Sequence, residues 1–148
     1  MHNPVKNYKE IINVIEQKLK DQNKNNFPKI IAVSKTFKLD KILPLIEYGH
    51  LDYGENKVQE ALEKWSEIKT SKQDINLHLI GKLQTNKVKF AINIFDYIHS
   101  LDSEKLAKKI AQEEIRQNKK IKLFIQVNIG DESQKSGIPK SQVNDLFN

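Results

Sequence analysis

Lys29-Ile30-Ile31-Ala32-Val33-Ser34-Lys35-Thr36-Phe37 is the stretch on which the reading of the fold turns. The residues from Ile30 to Ser34 are apolar or small, lack helical spacing and follow Pro28. That is the pattern of a short strand buried on both faces, as in a parallel sheet covered by helices. Strand parity groups Ile31, Val33 and Lys35 on one face and Ile30, Ala32 and Ser34 on the other. With the first set turned inward, Lys35 brings its amine to the mouth of whatever the sheet encloses. Desolvation there disfavours the ammonium and suits the lysine to bonding with a carbonyl carbon. Read alone, the stretch fits better a lysine that ends a strand and snorkels to water, the commoner use of a lysine in that place.

Outward from this strand the chain alternates. Before it, Val5, Tyr8, Ile12, Ile15 and Leu19 recur at three- and four-residue spacing and predict an amphipathic helix of about five turns, ending in the polar run Asp21–Asn26. After it comes a short helix carrying Ile42, Leu45 and Ile46, with Asp40 as its expected N-cap and Gly49 past its end. Strands are expected near Ile30–Ser34, Leu51–Tyr53, Leu77–Ile80, Tyr97–His99 and Ile121–Asn128. Between them lie helices with the apolar faces Val58, Ala61, Leu62, Trp65, Ile68; Val88, Ala91, Ile92; and Leu106, Ala107, Ile110, Ala111, Ile115. Asn56 with Gln59 reads as a capping box, Asp102 or Ser103 as the cap of the last long helix, and Glu60 with Lys64 as an exposed i,i+4 pair. Gly130–Gly137 reads as a polar loop, and Ser141–Asn148 as the start of a further helix. Strands alternating with helices, without a hairpin signal, imply parallel strands joined by crossover helices. These close into either an open doubly wound sheet or a barrel. The first strand is not followed by Gly-x-Gly-x-x-Gly, which removes the usual mark of the open dinucleotide-binding sheet.

The 148 residues make one domain, 1–148, with 38% apolar and 30% charged residues, ordinary for a globular chain. Without cysteine there is neither a disulfide nor a thiolate metal site, and four histidines without acidic partners at ligand spacing give no metal signature. No apolar run reaches membrane-spanning length and Met1-His2-Asn3-Pro4 lacks a signal-peptide core, so a cytoplasmic location is expected. The net charge of +6 invites a nucleic-acid reading. The positive charge is almost all lysine, spread along the chain, with Arg116 the sole arginine. Arginine is the usual tool for bidentate phosphate and guanine contacts, so a basic nucleic-acid-binding module is the weaker alternative.

Polar residues gather just after the strands: Lys35; Glu55 and Asn56; His78 with Lys82, Gln84, Asn86 and Lys87; Ser100 and Asp102; and Asn128. In a parallel α/β fold these loops share one face, where sites are built. Each residue also has a plainer use, as a helix cap, a hydrogen-bonded strand residue or part of a solvated loop.

Five strings taken in order carry a resemblance. They are Ala32-Val33-Ser34-Lys35-Thr36, Tyr53-Gly54-Glu55-Asn56-Lys57-Val58-Gln59-Glu60, His78-Leu79-Ile80-Gly81-Lys82-Leu83-Gln84-Thr85-Asn86-Lys87, Gln126-Val127-Asn128 and Lys135-Ser136-Gly137. Together they resemble the pyridoxal phosphate homeostasis protein family (YggS/PROSC). The resemblance implies an α/β fold of the (β/α)8 TIM-barrel type, like the N-terminal domain of alanine racemase, of which about the first five βα units are present here. It also implies pyridoxal 5′-phosphate (PLP) at the C-terminal mouth of the barrel. Lys35 falls on the lysine that holds PLP as a Schiff base, Asn56 on a residue lining the cofactor, and His78 and Asn128 on strand ends around the same pocket. Members are regarded as PLP carriers or regulators without established catalysis, so the implied role is PLP (vitamin B6) homeostasis, with PLP-dependent apo-enzymes as partners and no catalytic residue. An alanine-racemase-like PLP enzyme is the other reading within this fold. Family members carry later segments, rich in serine, threonine and glycine, that cup the phosphate, and an arginine facing the pyridine nitrogen. Nothing in this sequence resembles those segments. The expectation is therefore a C-terminally truncated member that binds PLP weakly and self-associates through open sheet edges.

Overall fold

A computed structural model of the chain describes residues 3–130 and 132–147. It opens with helix α1 (Pro4–Asp21), whose N-terminus is capped by the Asn3 side chain accepting from the Lys6 amide at 3.0 Å, with Pro4 in the first turn. Then follow β1 (Ala32–Val33), α2 (Leu39–Glu47), β2 (Asp52–Glu55), α3 (Val58–Ser71) and β3 (Asn76–Leu79). A 3₁₀ turn at Thr85–Lys87 leads into α4 (Val88–Ile94), and β4 (Tyr97–Leu101), α5 (Glu104–Gln117) and β5 (Lys122–Ile125) complete the main sheet. Two short strands, β6 (Val127–Asn128) and β7 (Ile138–Pro139), pair with each other ahead of a second 3₁₀ turn and α6 (Val143–Phe147).

The main sheet has the strand order β1-β2-β3-β4-β5, all parallel. Each crossover therefore brings the chain to the adjacent strand, as in a barrel wall. Register places Val33 beside Gly54, Gly54 beside His78, His78 beside Tyr97 and Tyr97 beside Lys122. Partners in register share a face, so these residues form one inner row. The opposite face carries Tyr53, Leu77, Leu79 and Ile98, all fully buried under the helices with Trp65, Val88, Ala91, Ile92, Phe95, Leu106 and Ile110. Burial at roughly 25 cal/mol per Å² of apolar area makes this helix-covered layer the main source of stability. The inner face is more open: Val33 is 49% and Phe124 50% exposed.

Several local expectations are corrected. The α2 N-cap is Lys38 rather than Asp40, which lies inside the first turn and acts there on the helix dipole. The α3 N-cap is Lys57 and no side chain caps it, so Asn56 and Gln59 do not form a capping box. Ser103 does cap α5, its hydroxyl accepting from the Leu106 amide at 3.2 Å. The pair expected between Glu60 and Lys64 is replaced: Glu60 binds Lys57, and Lys64 turns inward to a buried carboxylate. The last strand breaks at Gln126, whose amide donates to the Leu101 carbonyl and whose carbonyl accepts from Ile138. That switch of partners starts the β6–β7 pair, whose strands flank the expected polar loop Gly130–Gly137. Gly137 makes the pair feasible, since it sits at φ +113° and a Cβ there would lie 2.8 Å from the Asn128 amide nitrogen. Among the described residues no helix is long and apolar enough to cross a membrane.

Candidate functional site

The C-terminal ends of the parallel strands meet along one edge, and the residues following them form the candidate site. At the end of β1 the ladder continues one residue past the strand, with the Ser34 amide donating to the Gly54 carbonyl at 2.9 Å. Lys35 and Thr36 then form a turn closed by the Phe37 amide donating to the Ser34 carbonyl at 3.0 Å. Strand parity therefore stops at Ser34, and the turn, not the pleat, sets the direction of Lys35. Lys35 is exposed, and among the described residues its amine has neither a hydrogen bond nor an ion pair. It borders a surface cleft of about 460 Å³ together with Lys38, Glu60, Glu63 and Lys64.

Asn56 follows β2 on the neighbouring loop. Its side chain is half-buried and makes no hydrogen bond among the described residues. It lines a separate cleft of about 220 Å³ with Lys57, Lys82, Gln84 and Lys87, a cationic and amide-rich surface. Close packing between the β2 and β3 loops builds this cleft: a Cβ at Gly81 would lie 2.2 Å from the Asn56 carbonyl oxygen. Asn128 stands at the end of β6 and donates its side-chain amide to the Glu132 carbonyl at 2.8 Å, which ties down the following loop. Lys35, Asn56 and Asn128 thus share the C-terminal edge without sharing one of these clefts.

His78 lies deeper, within β3. Its ring is 1% exposed and both nitrogens are engaged. Nε2 is 3.0 Å from Asp52 Oδ1, and Nδ1 is 2.9 Å from His99 Nε2. An ionised carboxylate only accepts, so Nε2 of His78 carries the proton, and its Nδ1 accepts from the Nε2–H of His99. The rings are fixed by stacking, His78 on Tyr97 at 4.1 Å and His99 on Phe124 at 4.5 Å. Burial pushes both histidines below their ordinary pKa; the Asp52 carboxylate opposes this at His78, and the neighbouring His78 adds to it at His99. Burial pushes Asp52 upward, yet the hydrogen bonds from His78 and from Lys29, 2.9 Å away, outweigh it and hold the carboxyl below its ordinary value. The pairing is a neutral imidazole donating to a carboxylate.

Behind the Lys35 turn, on the helix side of the sheet, lies a second cluster. Glu55 is fully buried and its Oε1 accepts from Ser34 Oγ at 2.7 Å, Lys64 Nζ at 2.9 Å and Trp65 Nε1 at 2.9 Å. Among the described residues its Oε2 is buried without a hydrogen-bond partner. Glu55 stands out in the sequence among the polar residues that follow strands, but its partners do not. The available signal is register: Ser34 and Glu55 fall on the helix-facing parity of adjacent strands.

This strand order, five parallel strands in sequence order with crossover helices, is that of a (β/α)-barrel wall. The chain belongs to the family described as alanine racemase, N-terminal domain, whose model matches residues 8–148. Among its relatives, the pyridoxal phosphate homeostasis protein of Haemophilus influenzae is 34% identical over 142 residues, covering 93% of this chain and 60% of that protein. The protein of the same name from Aquifex aeolicus is 38% identical over 122 residues, covering 82% of this chain and 53% of the relative. PipY of Synechococcus elongatus, solved with PLP bound, is 33% identical and superposes with a TM-score of 0.71 over 89% of this chain and 63% of that structure. The chain thus spans between half and two thirds of the length of these relatives.

Proposed function

We propose that this chain is the PLP-binding part of a PLP homeostasis protein, with the cofactor joined covalently to Lys35. The observation that carries the reading is the Lys35 amine, exposed and unpaired among the described residues, on a turn at the C-terminal edge of the sheet. It belongs to a family in which a relative 33% identical has been solved with PLP. Lys35 would hold the cofactor by its neutral amine at the aldehyde carbon, the aldehyde oxygen leaving as water with the two amine hydrogens. When bound, PLP supplies a conjugated electron sink.

The residues of the chain fit that group in kind. The Asn56 side chain offers an amide, and Lys82 and Lys87 of the neighbouring cleft offer positive charge to a phosphate, whereas the cleft that Lys35 itself borders also carries Glu60, Glu63 and Glu67. Asn128 borders the same edge. His78 contributes from behind, holding the sheet interior through Asp52 and His99 rather than by reaching out with a free nitrogen. Catalysis is not part of the proposal: the role is to hold PLP and pass it to PLP-dependent apo-enzymes inside the cell.

The test is titration of the chain with PLP, followed by borohydride reduction and intact-mass measurement, for the wild type and Lys35→Ala. The reading expects borohydride-trapped PLP on the wild type at excess cofactor and a large loss in the variant. Equal retention by both would overturn it. Incubation with D- or L-alanine and PLP should give no racemisation above free PLP; turnover abolished by Lys35→Ala would establish an enzyme instead.

A further inference from the structure

Every polar group of Ser34, the residue just before Lys35, is engaged. Its amide donates to the Gly54 carbonyl at 2.9 Å. Its hydroxyl donates to Glu55 Oε1 at 2.7 Å; the Gly54 carbonyl, 3.4 Å from the same hydroxyl, is the weaker acceptor for its one proton. Its carbonyl accepts from Lys64 Nζ at 2.8 Å and from the Phe37 amide at 3.0 Å. Lys64 bridges this carbonyl and Glu55, and Trp65 fixes the same carboxylate oxygen from the adjacent position on α3.

We propose that Glu55 is a positioning residue that holds the Lys35 turn through Ser34, so that the lysine amine leaves the sheet in one fixed direction. The inference rests on the reading of Lys35 as the residue that bonds PLP. Three features carry it. Glu55 is inaccessible and cannot touch a ligand at the strand ends, so its influence passes through the residues it binds. Its three hydrogen bonds converge on one oxygen and reach Ser34 at the end of β1 and Lys64 and Trp65 on α3, so the cluster ties the start of the turn to the helix packed beside it. Charge-assisted hydrogen bonds are short and directional, and in a dry environment they set geometry more strictly than a surface pair would. A lysine tied down one residue before its Cα bonds an aldehyde without first ordering its backbone, so the turn costs Lys35 no more order than a helix costs the lysines of α1, α3 and α5.

The test uses the whole chain in the wild-type form and as Ser34→Ala, Ser34→Thr and Glu55→Gln. Ser34→Ala removes only the hydroxyl link and keeps Glu55 paired with Lys64 and Trp65, so the fold should survive, as circular dichroism and thermal unfolding will show. Two readouts are taken. Amide hydrogen exchange at Phe37 reports the turn without any cofactor. The rate of borohydride-trapped labelling at Lys35 by PLP, relative to all other lysines and across pH 6 to 9, reports positioning toward the ligand. Expected are exchange at Phe37 and relative labelling at Lys35 that change by about tenfold, faster and slower respectively, in Ser34→Ala and Glu55→Gln. Ser34→Thr, which keeps the hydroxyl, should restore both. Unchanged Phe37 exchange in Ser34→Ala, or unchanged relative labelling at Lys35, would overturn the positioning role. A wild-type chain that leaves Lys35 unlabelled would overturn the PLP reading instead, and Phe37 exchange would then decide the positioning of the turn by itself.

Discussion

Asp52 and Glu55 stand on the same strand, three residues apart and on opposite faces, and have become two different devices. Asp52 faces the open interior and shares one oxygen between Lys29, itself 49% exposed, and the buried His78. Glu55 faces the helices, is sealed from water and gathers its three donors from β1 and α3. A carboxylate beside water draws on solvent and responds to pH and salt. One in a dry layer survives only with its counter-charge and donors in place, and so it becomes a rigid joint.

The difference is most exposed by removing the lysine from each pair. Lys64→Met strands the Glu55 charge in the core and should cost about 3–5 kcal/mol in urea denaturation. Lys29→Met removes a partner that is half in water and should cost about 0–1 kcal/mol. Similar losses in both variants would erase the distinction between the two faces.

Gly81→Ala tests the loop packing between them. A Cβ 2.2 Å from the Asn56 carbonyl forces the β2 and β3 loops apart, with a destabilisation of about 1–3 kcal/mol. A structure of the variant should show the Asn56 loop displaced; an unmoved loop at wild-type stability would mean that the close approach is not required.

Acid should act through the Asp52 side. His78 and His99 have pKa values below their ordinary value in the fold, so on acidification the unfolded chain takes up protons first. Stability is then fully present above about pH 6.5 and falls as the pH drops from there through the folded values. Asp52 adds a second loss in the same direction, below about pH 4, because its folded pKa is also depressed. Denaturation curves from pH 7.5 to 3 should show both losses, and Asp52→Asn should reduce the lower one, to which Glu104 and Glu113 with their depressed pKa values also contribute. A chain whose stability is flat from pH 7 to 5 would contradict the neutral, buried state of the histidine pair.

The rhythm of elements was legible because each strand is a short apolar run between amphipathic helices; Ile30–Ser34 and Leu77–Ile80 announce themselves. Lys35, Asn56 and Asn128 were legible as strand-end residues for the same reason. His78 looked like a residue of the mouth, but strand parity and register place it one row deeper, where its nitrogens serve Asp52 and His99. The Glu55 cluster was out of reach, since it depends on the register of β1 against β2 and on the phase of α3. Sequence favoured a local pair between Glu60 and Lys64, worth a few tenths of a kcal/mol. The buried carboxylate of Glu55 needed a cation more, and tertiary structure redirected Lys64 to it. The β6–β7 pair was hidden because it turns on one residue, Gln126, that changes hydrogen-bond partners.

The central claim, that this fold singles out Lys35 among the lysines of the chain for PLP, is tested most directly by peptide mapping. The wild-type chain is exposed to less than one equivalent of PLP, reduced with borohydride, digested and mapped by mass spectrometry. The account predicts that the peptide containing Lys35 carries most of the label. Label spread over the surface lysines in proportion to their exposure would contradict it.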